Sequence, residues 1–280
     1  TGSRPLALPG NPFAGALIDS TQALELNTLP SSAVIIGAGA VALEFASLWN
    51  AAGCEVTLLI RKDRVLSTWE RRASMTLTRE LKRRGVNVIA RTAVDRVDTG
   101  ANLGATVHYR QGDSDEDRTA YGEVVLAAIG RVPNTDADWF RSSGLKLDER
   151  GYVTVDGYGR TNLDGVWALG DITPGHALAH RAFEQGITIA EKIAGADPKP
   201  VIDDTVPQVV FSFPEAASVG LTLDQAKALE DVVEPKETAY PMLSNARMLM
   251  SGEGGSMTVV SGAFANNPDM QVVLGVHIVS

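Results

Sequence analysis

The feature that most restricts this chain is a short apolar run, Ala33 to Ile36, that breaks at Gly37 and Gly39 and resumes with helical spacing at Val41, Phe45 and Leu48. A run this short and apolar reads as a buried strand, the glycines as a tight turn, and the recurrence as a helix. Gly53 closes that helix as a left-handed cap would, and VTLLI (56–60) is the next buried strand. MTLTRELKRRG (75–85) reads as a second helix and VNVIA (86–90) as a third strand. Right-handed crossovers place strands in this order in one parallel, doubly wound α/β sheet with helices on its faces.

From Val94 to Tyr109 the alternation tightens, QGDSDED (111–117) reads as a polar hairpin tip, and VVLAAIG (124–130) returns to the sheet. Residues 131–165 are turn-rich, VWAL (166–169) reads as another buried strand, and a helix is predicted from about His180 to Ile193. GADPKPV (195–201) is the best linker candidate and marks a domain boundary. Beyond it, VVFSF, Met257 to Val260 and VVLGVHIV read as strands, with a short helix near Leu223 to Leu229, an α+β pattern. The chain begins at Thr1 and ends in a strand with nothing to turn it back, so both ends read as cut, and the lack of a signal peptide carries no weight.

Composition narrows the function classes. A length of 280 residues suggests two domains, and 44% hydrophobic with 21% charged residues fits a soluble globular chain. No apolar run approaches the roughly 20 residues of a membrane span. A net charge of −9 argues against nucleic acid as a partner, since that binding needs Lys and Arg on phosphates. Cys54 is the sole cysteine, which excludes an internal disulfide, fits a reducing cytoplasm, and reads as a small core residue. His108 and His277 lie in strand patterns without metal-ligand spacing, so no metal site is expected. The methionines of SNARMLMSGEGG (244–255) read as packing beside glycines.

GAGAVA (37–42) is the dinucleotide fingerprint with Ala42 at its third glycine position, in the strand-to-helix context the motif requires. Gly37 permits the turn, Gly39 lets backbone approach a pyrophosphate, and the helix start stabilises negative charge. A plain glycine turn binding another nucleotide is the alternative. About twenty residues on, where a carboxylate would select NADH, stands IRKDR (60–64). Arg61 and Lys62 offer charge-assisted bonds to a 2′-phosphate, which favours NADPH; Arg64 is a weaker third candidate, and a solvated basic loop is the bland reading. In GVWALGD (165–171) Asp171 could accept from a polyol hydroxyl, although Gly-Asp after a strand alone is more often a turn or cap. ALAHRAFEQG (177–186) starts a helix whose free N–H groups could face an electron-rich ring.

In order, TGSRP (1–5), the fingerprint, GRVPNT (130–135), GVWALGD and FPEAASVGLT (213–222) resemble successive signatures of the pyridine nucleotide-disulfide oxidoreductases. That resemblance implies a flavin-domain segment at 1–10, an inserted NAD(P)-binding Rossmann domain at 11–133, a second flavin-domain segment at 134–203, and a truncated dimerisation domain at 204–280. It implies Thr1, Gly2, Gly170, Asp171, Ala177, Leu178, Ala179 and His180 as FAD contacts. Gly37, Ala38, Gly39, Ala40, Val41, Ala42, Val94 and Gly130 would line NADP or NAD, with Arg61 and Lys62 on its phosphate. Glu44 matches a catalytic glutamate that pairs with a lysine beside the flavin, and that lysine is not in this chain. ALAHRAFEQG and the chain's end look like dihydrolipoamide dehydrogenase, whereas IRKDRVL and Ala42 look like glutathione reductase. The implied activity is hydride transfer between nicotinamide and FAD and on to a small or protein-bound disulfide, in a homodimer. The paired cysteines and histidine base this needs are expected upstream and downstream of these residues. A flavin reductase of quinone or metal without a cysteine pair, and a non-catalytic dinucleotide-binding module, are the alternatives.

Overall fold

A computed structural model describes residues 1–100, 104–242, 245–251 and 254–280. The chain enters through β1 (Ser3–Pro5) and β2 (Leu17–Ile18) to the short helix α1 (Ser20–Leu24), where Asp19 and Gln22 cap each other's backbone N–H. The expected strand–helix alternation follows as β3 (Ser32–Ile36), α2 (Ala40–Ala51), β4 (Glu55–Ile60), α3 (Arg71–Arg83) and β5 (Asn87–Ala90). α2 ends where Gly53, at φ +92°, lets its own N–H reach Asn50 O and that of Cys54 reach Trp49 O. α3 begins at Arg71 rather than Met75, because the Glu70 carboxylate accepts from the N–H groups of Arg72 at 2.6 Å and Ala73 at 2.7 Å. Cap chemistry, which hydrophobic spacing does not register, sets that start.

β6 (Thr92–Thr99), β7 (Ala105–Gln111) and β8 (Arg118–Gly122) form an antiparallel ribbon, and β9 (Val124–Ala127) then rejoins the main sheet. That sheet runs β2-β9-β3-β4-β5, all parallel, with Ile35 opposite both Leu58 and Leu126. One face (Ala33, Ile35, Val56, Leu58, Ile60) lies under Leu43, Trp49, Leu77 and Leu81 of α2 and α3. The other (Val34, Ile36, Leu59, Val125, Ala127) lies under Val107 and Tyr109 of the ribbon. The expectation of helices on both faces is thus corrected: the period-two alternation of the ribbon gives it an apolar side that covers the second face.

The chain continues through β10 (Arg131–Pro133), α4 (Asp138–Ser142), α5 (Ala179–Ile193), β11 (Gln208–Val210), β12 (Ala216–Gly220), α6 (Leu223–Ala228), β13 (Val232–Pro241), α7 (Ala246–Ser251), β14 (Ser256–Phe264) and β15 (Asn267–Val279). Contacts divide it into two compact units, residues 1–5 with 131–206, and residues 6–130 with 207–280. In the first, β1 pairs antiparallel with β10, and Phe140, Val153 and Ala168 form a small core. VWAL is not a strand there. It makes a single bridge, Arg160 to Trp167, and leaves Val166 and Leu169 exposed. An apolar run alone does not make a strand without a neighbour to supply a hydrogen-bond ladder.

In the second unit, an antiparallel sheet is ordered β11-β12-β15-β14-β13. β12 is built of small residues, and β13 carries a proline and a register shift near Glu234, at φ +49°, so neither shows an apolar alternation in sequence. Of the 244–255 stretch, residues 244, 252 and 253 lie outside the described residues; in α7 Met248 is buried as expected, whereas Met250 is exposed. Cys54 is buried, and desolvation raises its thiol pKa to about 11, in keeping with a core role.

His277 on β15 is buried between the Ser218 hydroxyl, 2.8 Å from Nδ1, and the Leu221 carbonyl, 3.2 Å from Nε2. Burial lowers its pKa below the ordinary 6.5, the ring being held neutral with Nε2–H donating to Leu221. A depressed histidine pKa means that stability is intact above pH 6.5 and is lost as pH falls through the lowered value, since the unfolded chain takes up the proton first. Urea midpoints should therefore drop between pH 7 and pH 5 and drop less in His277→Gln; equal losses in both proteins would contradict the assignment.

Candidate functional site

β3, β4 and β9 end at one edge of the parallel sheet, tied by bonds from Gly37 N–H to Leu59 O (3.1 Å) and from Ala128 N–H to Ile36 O (2.8 Å). Gly37 sits at φ +140°, and a Cβ there would overlap the Ala128 carbonyl, so the turn admits only glycine. Gly39 is the N-cap of α2 and makes no side-chain cap bond, while an added Cβ would meet nothing within 4 Å. The N–H groups of Ala40, Val41 and Ala42 thus begin a twelve-residue helix without intrahelical acceptors. α3 differs, its first amides being taken by Glu70. Ala42 is fully buried beneath the turn, which explains a small residue at that position. The Ala38 carbonyl accepts from Leu66 N–H at 2.9 Å and fastens the segment after β4 to the turn.

That segment carries the charge. Arg61 and Lys62 are exposed just past β4, at the same edge, with no ion pair among the described residues. Arg64, the third candidate, is half-buried and bonds Asp63 at 3.0 Å and Ser67 O at 3.1 Å. Gly130, at φ +140°, follows β9 and accepts from Leu6 N–H at 3.0 Å. Val94 lies opposite Tyr109 in the ribbon, half-buried against the second core. Glu44 is half-buried on α2, and its Oε1 accepts from Phe211 N–H at 3.0 Å, while Ser47 Oγ accepts from Phe213 N–H at 3.1 Å. In this unit the glutamate is held by backbone.

In the unit of residues 1–5 and 131–206, the remaining candidates gather around Asp171. Gly170 to Ile172 form one 3-10 turn, in which Gly170, at φ +72°, accepts from Thr173 and donates to the Gln185 side chain of α5 at 2.9 Å. Asp171 Oδ2 accepts from the Ser3 hydroxyl at 2.6 Å, and that hydroxyl in turn accepts from Arg131 Nε at 2.6 Å. Thr1 and Gly2 are joined to the same place by bonds from Asn134 to their carbonyls. Ala177 and Leu178 lead into α5, a fifteen-residue helix whose N-cap Leu178 makes no side-chain cap bond. Sequence reasoning missed Ser3 and Arg131; both lie inside motifs it quoted, but nothing in the residue types announces their contact across the chain.

A cleft of about 610 Å³ lies elsewhere, between Arg71, Arg72 and Arg79 of α3 and Thr222 and Asp224. Glu70 and Glu237 also line it, and none of the candidate site residues does. Among the described residues no cluster of three or more metal-ligating side chains occurs, and no helix is long and apolar enough to cross a membrane.

Comparison with known proteins adds the family. Residues 1–186 match the model of the pyridine nucleotide-disulphide oxidoreductases, and residues 206–280 match the dimerisation domain of the same family. The chain belongs to the pyridine nucleotide-disulphide oxidoreductase family. It is 38% identical to a dihydrolipoyl dehydrogenase of Geobacillus stearothermophilus over 89% of this chain and 52% of the relative, and 35% identical to one of Cupriavidus necator over 100% and 57%. The structure resembles LpdA of Mycobacterium tuberculosis, with a TM-score of 0.86 at 28% identity over 100% of this chain and 59% of that one. It also resembles the flavoprotein disulfide reductase RclA of Escherichia coli, with a TM-score of 0.83 at 25% identity over 99% and 62%. The chain thus spans little more than half the length of the curated relatives it matches. The family is FAD- and NAD(P)-dependent, and the fold, a parallel sheet joined to a dimerisation domain, agrees with it.

The two fingerprint glycines should respond differently to a methyl group. Gly39→Ala, with open space around it, is expected to change unfolding free energy by less than about 1 kcal/mol while weakening dinucleotide binding several-fold. Gly37→Ala should cost about 2 kcal/mol or more in denaturant titration. Comparable stability losses in both would contradict the geometry.

Proposed function

We propose that these residues are part of an FAD-dependent NAD(P)H:disulfide oxidoreductase of the dihydrolipoamide dehydrogenase type, with NADPH as its preferred nicotinamide donor. The observation that carries the reading is the uncapped start of α2 at Gly39, open to a ligand and flanked by Arg61 and Lys62. Amides without acceptors at a helix start suit a pyrophosphate, and cations past the next strand suit a 2′-phosphate where a carboxylate would repel it. The dihydrolipoyl dehydrogenases and disulfide reductases among the similar proteins support the reaction class.

In this reading Gly37 to Ala42 seat the diphosphate of the nicotinamide donor, with Val94 and Gly130 beside it. Asp171, oriented by Ser3, accepts from the sugar chain of FAD, and Arg131 holds Ser3 in place. Thr1, Gly2 and the start of α5 from Ala177 to His180 complete the flavin's contacts. Bound flavin supplies the two-electron relay between nicotinamide and disulfide. Glu44, fixed by Phe211 N–H, presents a negative charge for a cation beside the ring system. Cys54, alone and buried, is unsuited to thiol exchange, so the cysteine pair and proton-handling histidine are assigned to residues outside these 280. The dimerisation domain supports a homodimer.

The test uses the full-length protein. Replacing both Arg61 and Lys62 by Gln should weaken NADPH binding about tenfold or more, as losing charge-assisted hydrogen bonds does, and leave NADH nearly unchanged. Equal losses for the two cofactors would overturn the preference. Stoichiometric reduction of a dithiol-forming disulfide by NADPH is expected, and turnover with quinone alone would overturn the disulfide assignment.

A further inference from the structure

Arg91 carries no motif in sequence, yet the fold brings it to the charged edge. β4 and β5 run parallel with Ile60 opposite Ala90, so the residues that follow each strand emerge side by side. The Arg91 N–H donates to the Lys62 carbonyl at 3.0 Å, and the Thr92 hydroxyl donates to the Ile60 carbonyl at 3.1 Å. The Arg91 carbonyl accepts from Gly112 N–H at 2.8 Å, and the Ala90 carbonyl accepts from Gln111 Nε2 at 3.2 Å. These four bonds clamp Arg91 at φ +58°, a left-handed backbone that favours glycine or asparagine over a long side chain. The side chain is exposed and has no hydrogen bond or ion pair among the described residues. Strained backbone of this kind gathers where a side chain must be aimed.

We propose that Arg91 is a third cation of the phosphate-selecting site, approaching from the β5 side while Arg61 and Lys62 approach from the β4 side. The proposal rests on the dinucleotide reading given above and adds to it a residue that determines specificity. A phosphate monoester carries close to two negative charges at neutral pH and several acceptor oxygens, more than one exposed cation neutralises. Arg64, the other nearby guanidinium, is committed to Asp63 and Ser67 O. Arg91 instead is locked to Lys62 through backbone, so its position does not depend on a flexible loop. A planar guanidinium flanking the phosphate from a second strand can bond oxygens that the first pair leaves free. The site thereby discriminates a phosphate ester on the adenosine ribose from a free hydroxyl.

The experiment is calorimetric titration of the full-length protein with 2′,5′-ADP and with 5′-AMP, comparing wild type with Arg91→Gly, Arg91→Asn, Arg91→Lys and the double Arg61→Gln/Lys62→Gln. Glycine and asparagine both suit the left-handed backbone, so each removes the charge without threatening the fold, and the melting temperature should not fall. Both are expected to weaken 2′,5′-ADP about fivefold, roughly 1 kcal/mol, with 5′-AMP unchanged and with Arg91→Lys, which keeps the charge but not the planar fork, losing less than either. If 2′,5′-ADP binding survives in Arg91→Gly and Arg91→Asn but falls in the Arg61/Lys62 double variant, the role of Arg91 is overturned while the dinucleotide reading stands. If wild type binds 2′,5′-ADP no more tightly than 5′-AMP, the reading beneath it falls as well.

Discussion

The arrangement depends on one close approach, the Gly37 backbone lying against the carbonyl of Ala128 where β3 and β9 end together. No side chain fits in that gap, and because none is present the chain can turn directly from a fully buried strand into α2. The turn delivers Gly39 to the helix N-cap without a capping side chain, so a row of amide donors is left unsatisfied by protein. Unsatisfied donors at a helix start cost stability unless water or an anion takes them. The same edge carries the ends of β4 and β5, so the cations that follow those strands emerge there as well.

Packing makes that edge rigid. Helices α2 and α3 bury one face of the parallel sheet and the antiparallel ribbon buries the other, and Trp49, Leu58, Leu77 and Leu81 are at most 1% exposed. Each such large side chain contributes about 1.5–3 kcal/mol of burial, so the strands ending at the site are fixed by the most stable part of the unit. The loops beyond them are fastened by backbone bonds, Leu66 to Ala38 and Arg91 to Lys62. In the other unit the hydrogen-bonded series from Arg131 through Ser3 to Asp171 does similar work, holding the Asp171 carboxylate in place.

Where a residue's role depended on its immediate neighbours, it was legible in sequence. The strand–glycine–helix order, the cap at Gly53 and the buried Cys54 follow from spacing and residue type, because periodicity reports which side of an element is buried. Long-range pairing was not legible. VWAL has the composition of a strand but no ladder partner, whereas β12 and β13 are strands without the composition, their pairing set by β15 and β14. Ser3 and Arg91 escaped for the same reason: the first is tied to Asp171, 168 positions away, and the second is placed by register with β4. Glu44 was singled out from motif resemblance, and its partner Phe211 lies in a distant strand-end loop that no local pattern connects to α2.

The central claim is that the amides beginning α2 hold a diphosphate. A crystal structure of the full-length protein with bound NADPH tests it most directly. The account predicts pyrophosphate oxygens about 3 Å from the backbone nitrogens of Val41 and Ala42, ordinary hydrogen-bond distance, with the adenosine running toward Arg61 and Lys62. Diphosphate bound at any other part of this unit, with those amides left to water, would contradict it.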